Sequence, residues 1–203
     1  MAGDAERELE AKFLVRDLAR LEARLAELGA ERTGERVLES NLRFDTPARE
    51  LTAGNRALRL RMDREARLTY KGPQRAGAEV NERQEIEFSV SDFGAARRLL
   101  KALGYEVSAI YEKYRTTYQL RNVEVVLDEL PYGNFVEIEG PGAGAIRRAA
   151  DELGLRWDTR SALSYLALFE RLRAGGLKAV GLTFSELEGT AVKPAELGLD
   201  YAD

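Results

Sequence analysis

The chain has 203 residues, of which 44% are hydrophobic and 33% are charged, and its net charge at pH 7 is −4. It contains neither histidine nor cysteine. This absence excludes Cys–His and Ser–His–Asp catalysis, disulfide bonds and zinc sites built from these residues. A metal ion would have to be bound by oxygen atoms, which favours Mg²⁺, Mn²⁺ or Ca²⁺.

No apolar run approaches the roughly 20 residues of a membrane span. Residues 1–12 are too polar for a secretory signal. We therefore expect a cytoplasmic protein that does not bind membranes. Its acidic balance also argues against broad nucleic-acid binding. The sequence leaves a homodimer open.

Eight segments with period-two alternation of apolar and charged residues predict β-strands. They cover residues 7–15, 36–45, 56–63, 66–71, 82–90, 110–120, 122–129 and 134–140. Apolar residues at helical spacing predict helices over 17–31, 91–106 and 144–156, and a fourth over 161–174. Asp17 and Ser91 suit N-cap positions, and Gly29, Gly104 and Gly154 suit left-handed C-terminal positions. Neighbouring antiparallel strands with few helices predict an α+β fold with a curled sheet or barrel.

The strands carry an unusual charged face. In "RELEAKFLV" (7–15), Glu8, Glu10 and Lys12 alternate with apolar residues, so a strand here has one fully charged face. The other strands repeat the pattern, and the signs are sorted by strand: basic pairs at 59/61 and 113/115, acidic pairs at 85/87 and 137/139. For any single strand, a solvated outer face is the simpler explanation, but a surface adapted for solubility would mix the two signs.

The predicted helices indicate which face points inward. Their apolar stripes need partners, and the apolar faces of the strands are the available ones. If helices cover a closed sheet, the charged faces line its lumen, which is costly unless water, ions and an anionic ligand fill it. Carboxylate pairs can bind hard divalent cations, and arginine and lysine rows match phosphate oxygens. The pattern therefore favours a polyphosphate–metal site, without a P-loop motif.

Glu8-x-Glu10-x-Lys12 resembles the ExExK signature of the CYTH domain, or triphosphate tunnel metalloenzyme, family. The segments "ALRLR", "LTYKGP", "EIEF", "EKYRTTY" and "LDELPYGNFVEIEG" match later family segments in order, so the resemblance covers about residues 6–170. It implies an eight-stranded antiparallel β-barrel with a tunnel and helices packed outside. We expect a CYTH tunnel domain over 1–175 and a C-terminal tail, with short helical structure as one option, over 176–203.

The resemblance also implies site residues. The metal ligands would be Glu8, Glu10, Asp128, Glu137 and Glu139, with Glu85 and Glu87 in supporting acidic roles. The triphosphate-binding residues would be Lys12, Arg59, Arg61, Lys71 and Arg115. Lys113 would lie near the attacking water and, with Lys71, take a catalytic role. The cofactor would be Mg²⁺ or Mn²⁺, with two ions.

The function that these residues favour is a metal-dependent triphosphatase acting on inorganic triphosphate or an organic triphosphate. Within the same family, a class IV adenylyl cyclase or a thiamine triphosphatase is an alternative. A non-catalytic polyphosphate- or nucleotide-binding module is an alternative of another class, although binding an anion alone does not need so many carboxylates nearby.

Overall fold

The computed structural model describes residues 7–203 and arranges eight antiparallel strands in a closed barrel. The strands are β1 Arg7–Val15, β2 Glu31–Asp45, β3 Ala57–Met62, β4 Ala66–Lys71, β5 Asn81–Val90, β6 Glu106–Leu120, β7 Val123–Leu130 and β8 Gly133–Glu139. Their order around the ring is β1-β5-β4-β3-β2-β6-β7-β8, and β8 closes on β1. The predicted α+β barrel is confirmed. The first six residues of the predicted tunnel domain lie outside the described part.

Two strands begin earlier than predicted. β2 begins at Glu31 rather than 36, and β6 begins at Glu106 rather than 110. The first residues of β2 are polar and mostly exposed, so they show no apolar alternation. They pair with the end of β6 through register shifts around Gly34, which also break the period of two that the prediction relied on.

The helices lie outside the barrel. They are α1 Leu18–Glu27, α2 Glu50–Ala53, α3 Phe93–Ala102, α4 Ala143–Glu152, α5 Tyr165–Ala174 and α6 Pro194–Leu197, with a 3₁₀ turn over Trp157–Thr159. The side chain of Asp92, rather than the predicted Ser91, caps α3 by accepting a hydrogen bond from the Ala95 N–H. The predicted fourth helix begins only at Tyr165, because the Ser161 N–H pairs instead with the Lys12 carbonyl of β1.

Burial places the charged faces of the strands inside. Leu21 and Leu25 of α1 and Ile146 of α4 pack on Phe13 and Val125, which belong to the apolar faces of β1 and β7. In the same way α3 covers the apolar faces of β2 and β3. The alternation of side chains in a strand then directs the charged residues into the lumen. The prediction of an inverted interior is confirmed.

One end of the barrel is filled by a second apolar cluster. Leu14 and Phe135, which share the inner faces of β1 and β8 with charged residues, pack against α5 residues such as Leu168. The C-terminal segment completes this cluster with Leu182 and Leu197, both fully buried. The cluster closes the end formed by the last residues of β1 and the first of β8. Among the described residues, no helix has the length and apolar character needed to span a membrane.

Candidate active site

The barrel encloses a cavity of about 930 Å³ lined by ionisable side chains of both signs. Every predicted site residue except Asp128 lines this cavity. The acidic members are Glu8, Glu10, Glu85, Glu87, Glu137 and Glu139, and the basic members are Lys12, Arg59, Arg61, Lys71, Lys113 and Arg115. Charges buried in a low-dielectric interior need partners. The structure supplies them as ion pairs across the lumen.

The charged residues of β1 lie at the centre of these pairs. Lys12 is 3% exposed. Its Nζ is 3.1 Å from Glu137 Oε1 and 4.0 Å from Glu10 Oε1. Burial alone would raise the pKa of Glu137, but Lys12 and Arg115 hold it well below its usual value of 4.5. At neutral pH Lys12 and Glu137 are therefore both charged, and either can exchange its protein partner for a ligand or a metal ion.

The arginines of β3 and the lysine of β4 contact carboxylates of β5. Arg59 and Arg61 each approach a Glu87 oxygen at 3.4 Å. The Lys71 ammonium bridges Glu8 and Glu85, at 3.2 Å from Glu85 Oε2. Arg83, which faces the lumen from β5 and was not among the predicted site residues, also binds Glu8, with its Nε 3.0 Å from Oε2. Basic and acidic rows thus interdigitate.

Asp128 lies behind the cavity wall and is fully buried. Its carboxylate accepts hydrogen bonds from Lys113 Nζ at 2.9 Å, from Arg115 Nε at 2.8 Å and from the Tyr165 hydroxyl at 2.9 Å. This network fixes the two basic residues of β6. The prediction that Asp128 binds a metal ion would require it to exchange at least one of these partners. Tyr165, at the start of α5, was not predicted because its helical spacing is typical of a core residue.

Glu39 is the main site residue that sequence analysis missed. It is 2% exposed, and its carboxylate lies 3.2 Å from Arg61 Nη1 and 3.5 Å from Lys113 Nζ. Burial would raise its pKa, but Lys113, Arg115 and Arg61 lower it to about 2. Glu39 lies at an inward position of a predicted strand. The sequence signal for the lumen is a pair of like charges two residues apart, and Glu39 has no acidic partner at that spacing.

Carboxylates gather at the end of the lumen opposite the apolar cluster. Glu139 and Glu124 are directly opposite on β8 and β7. Burial and then repulsion from Glu8, Glu124 and Glu85 raise the pKa of Glu139 to about 7. Within residues 7–203, no three carboxylates converge closely enough to hold a metal ion as they stand. The donor set nevertheless fits a hard divalent cation, because it consists of carboxylate oxygen atoms.

The fold and this lumen define a tunnel-type barrel whose interior is lined by charged side chains of both signs. The model of the CYTH domain matches residues 6–152. The chain belongs to the CYTH domain family, which confirms the resemblance.

The chain matches three solved structures of the same fold over nearly the whole length of each. A proposed adenylate cyclase from Vibrio parahaemolyticus is 23% identical with a TM-score of 0.72, covering 82% of this chain and 99% of that one. The PH1819 protein of Pyrococcus horikoshii is 28% identical with a TM-score of 0.66, over 80% and 98%. HpAC1 of Hippeastrum, a proposed adenylyl cyclase with a dominant triphosphatase activity, is 20% identical with a TM-score of 0.59, over 83% and 96%. No curated protein sequence matches the chain.

Proposed function

We propose that this protein is a divalent-metal-dependent triphosphatase that hydrolyses inorganic triphosphate or an organic triphosphate inside its barrel. The observation that carries the proposal is that lysines and arginines from six strands and carboxylates from five line one lumen. Polyphosphate needs the basic side chains as partners, and the divalent cations that accompany it need the carboxylates. Membership of the CYTH family and the triphosphatase activity described for HpAC1 support this choice.

Substrate binding would use the basic residues Lys12, Arg59, Arg61, Lys71 and Arg115. Each now contacts a carboxylate, so a phosphate oxygen would take the place of a carboxylate oxygen. Arginine suits this exchange because its planar fork donates two parallel hydrogen bonds to phosphate as readily as to carboxylate. Such contacts position the chain and neutralise the charge on the transferred phosphoryl group, which is most of what phosphoryl transfer requires.

The carboxylates released by this exchange would hold Mg²⁺ or Mn²⁺. We propose Glu8, Glu10, Glu137 and Glu139 as ligands, with Asp128 as a fifth if it leaves its present partners, and Glu85 and Glu87 in support. One bound divalent ion would neutralise charge at the phosphate oxygens. A second ion would acidify a water molecule.

Lys113 is the best placed residue to orient the attacking water. Asp128 holds its ammonium group at 2.9 Å, and the side chain is 2% exposed at the lumen wall. In the reaction, a water oxygen forms a bond to a terminal phosphorus, the bridging P–O bond breaks, and inorganic triphosphate gives phosphate and pyrophosphate. Lys71 would stabilise the charge that develops on the departing oxygen.

We further propose that the protein acts in the cytoplasm and binds no nucleic acid.

The test is a product-resolved assay of the purified chain. Inorganic triphosphate, ATP and thiamine triphosphate are each incubated with Mg²⁺, with Mn²⁺ and with EDTA. We expect metal-dependent release of phosphate, and Lys113→Met should reduce it about 10²–10³-fold. Arg36→Gln, on the outer face of β2, is the matched control and should keep wild-type activity. Cyclic AMP and pyrophosphate from ATP would indicate a cyclase, and binding without turnover under every metal would indicate a binding module; either result would overturn the proposal.

A further inference from the structure

Polar atoms without partners are concentrated on one patch of the lumen wall. Among the described residues, the buried side-chain nitrogens that lack a hydrogen bond are Arg43 Nε, Arg59 Nε, Arg61 Nε and Asn41 Nδ2. All four lie on the inner faces of the paired strands β2 and β3. Buried polar groups are normally hydrogen-bonded, so a cluster of exceptions indicates a place where another molecule binds.

Arg43 is the most distinctive member of this patch. Within residues 7–203 it has no carboxylate within ion-pair distance, whereas Arg59 and Arg61 contact Glu87. Its one hydrogen bond is long, 3.5 Å from Nη2 to the Arg56 carbonyl. Burial lowers the pKa of Arg43 below the usual value of an arginine, and the charge of Arg59 lowers it further. The folded protein therefore keeps a largely buried guanidinium without a counter-ion.

The register makes this arrangement more unfavourable without a ligand. Arg43 and Arg59 are directly opposite each other on β2 and β3, and like charges in such positions repel. Asn41 is fully buried, and neither of its amide atoms has a hydrogen-bond partner in the described part of the chain. Tyr111 lies opposite Asn41 on β6, and its hydroxyl accepts a 3.4 Å hydrogen bond from Arg59. An anion is the ligand that would satisfy these donors together.

Strand direction places Arg43 nearer than the carboxylates Glu8 and Glu139 to the closed end of the tunnel. Arg43 is near the end of β2 and Arg59 near the start of β3, whereas Glu8 is near the start of β1 and Glu139 ends β8. Because neighbouring strands alternate in direction around the barrel, Arg43 lies toward the end closed by Leu14 and Phe135. Glu8 and Glu139 lie toward the other end.

We propose that Arg43 and Asn41, with Arg59, form a metal-independent subsite for an unesterified terminal phosphate group at the closed end of the tunnel. This inference deepens the proposed function and rests on it for the identity of the ligand. It also sets the orientation of the substrate: one terminal phosphate contacts Arg43, and the rest of the chain extends toward the carboxylates. Any organic group would then lie at the end of the tunnel away from the apolar cluster.

Binding of inorganic triphosphate in EDTA, measured by calorimetry, tests the subsite without turnover. We expect the wild type to bind and Arg43→Met to bind about tenfold to a hundredfold more weakly, as for the loss of one charge-assisted hydrogen bond. The ligand-free melting temperature of Arg43→Met should equal or exceed that of the wild type, because the variant removes an uncompensated buried charge. Arg36→Met, on the opposite face of β2, should match the wild type in affinity.

Asn41→Asp gives an independent second variant in case Arg43→Met folds poorly. It places a carboxylate two positions from Arg43 on the same face of β2 and should weaken binding at least as strongly. Equal affinity of wild type and both variants, or no binding by the wild type in EDTA, would overturn the subsite. Arg43-dependent binding without hydrolysis under any metal would refute the triphosphatase and leave the subsite standing. If Arg43→Met hydrolyses triphosphate with an unchanged KM, the subsite is refuted and the triphosphatase proposal stands.

Discussion

Replacing Glu39 by glutamine removes one negative charge from the most buried part of the ion-pair network. Glu39 Oε1 is 3.2 Å from Arg61 and 3.9 Å from Arg115, and Oε2 is 3.5 Å from Lys113. The variant keeps the shape of the side chain. It leaves three basic groups with one carboxylate fewer among them, and an uncompensated buried charge is strongly destabilising.

The magnitude follows from the pKa. The folded protein holds the pKa of Glu39 at about 2, against 4.5 for the ordinary group. A difference of about 2.5 pH units, at 1.36 kcal/mol per unit, corresponds to about 3 kcal/mol. Because the folded pKa is the lower one, this contribution is fully present above pH 4.5 and is lost as the pH falls toward 2. Glu39→Gln should therefore unfold about 3 kcal/mol more easily at pH 7, and the difference from wild type should shrink in acid.

Urea unfolding at several pH values between 7 and 3 measures this difference. Glu129→Gln is the matched control, since Glu129 pairs with Arg36 on the outer surface, where the side chains are 34% and 47% exposed. Exposed pairs contribute about 0–1 kcal/mol, so the control should lose little at any pH. A loss below about 0.5 kcal/mol for Glu39→Gln at pH 7, or a difference that stays constant down to pH 3, would show that Glu39 does not stabilise the network.

Three further substitutions separate ligand binding from packing. Glu10→Gln should lower kcat about 10²–10³-fold at limiting Mg²⁺ with little change in unfolding free energy, because a hard cation needs the charge; wild-type turnover would contradict its role as a ligand. Arg59→Gln should lower kcat/KM for triphosphate about tenfold to a hundredfold, and an unchanged KM would argue against phosphate contact. Tyr165→Phe should cost about 1–3 kcal/mol in urea unfolding, because buried Asp128 loses a hydrogen bond; an unchanged unfolding midpoint would refute this.

The barrel was predictable because its strands keep a strict period of two over most of their length. Glu8, Glu10 and Lys12 alternate with apolar residues that α1 and α4 bury, so the pattern encodes both the strand and its orientation. The register shifts and the polar start of β2 carry no such pattern, which explains the error in its first residue. In β6 the consecutive apolar residues Ala109 and Ile110 interrupt the alternation. The C-terminal segment contributes isolated buried leucines, such as Leu182 and Leu197, at spacings that match neither a helix nor a strand.

The site residues were predictable where like charges repeat along one strand. They were less predictable where a residue finds its partners only on neighbouring strands of the closed barrel. Glu39, Asn41 and Arg43 alternate correctly on β2, but they differ in charge and resemble an ordinary polar face. Their role appears only when β3 and β6 are placed beside β2. Tyr165 depends in the same way on the contact between α5 and the end of the barrel, which no local pattern encodes.

A lumen lined by charges can be stable without a ligand only if the charges satisfy one another, and most of them do. A phosphate that displaces Glu87 from Arg59, or Glu137 from Arg115, must therefore compete with an existing ion pair, and the net gain is the difference between two similar interactions. Where a divalent ion takes up the displaced carboxylates, both halves of each broken pair regain a partner. Metal and phosphate should consequently bind with positive coupling over most of the tunnel. Arg43 is the exception, because it has no ion pair to break among residues 7–203, and phosphate contact there should be the least dependent on metal.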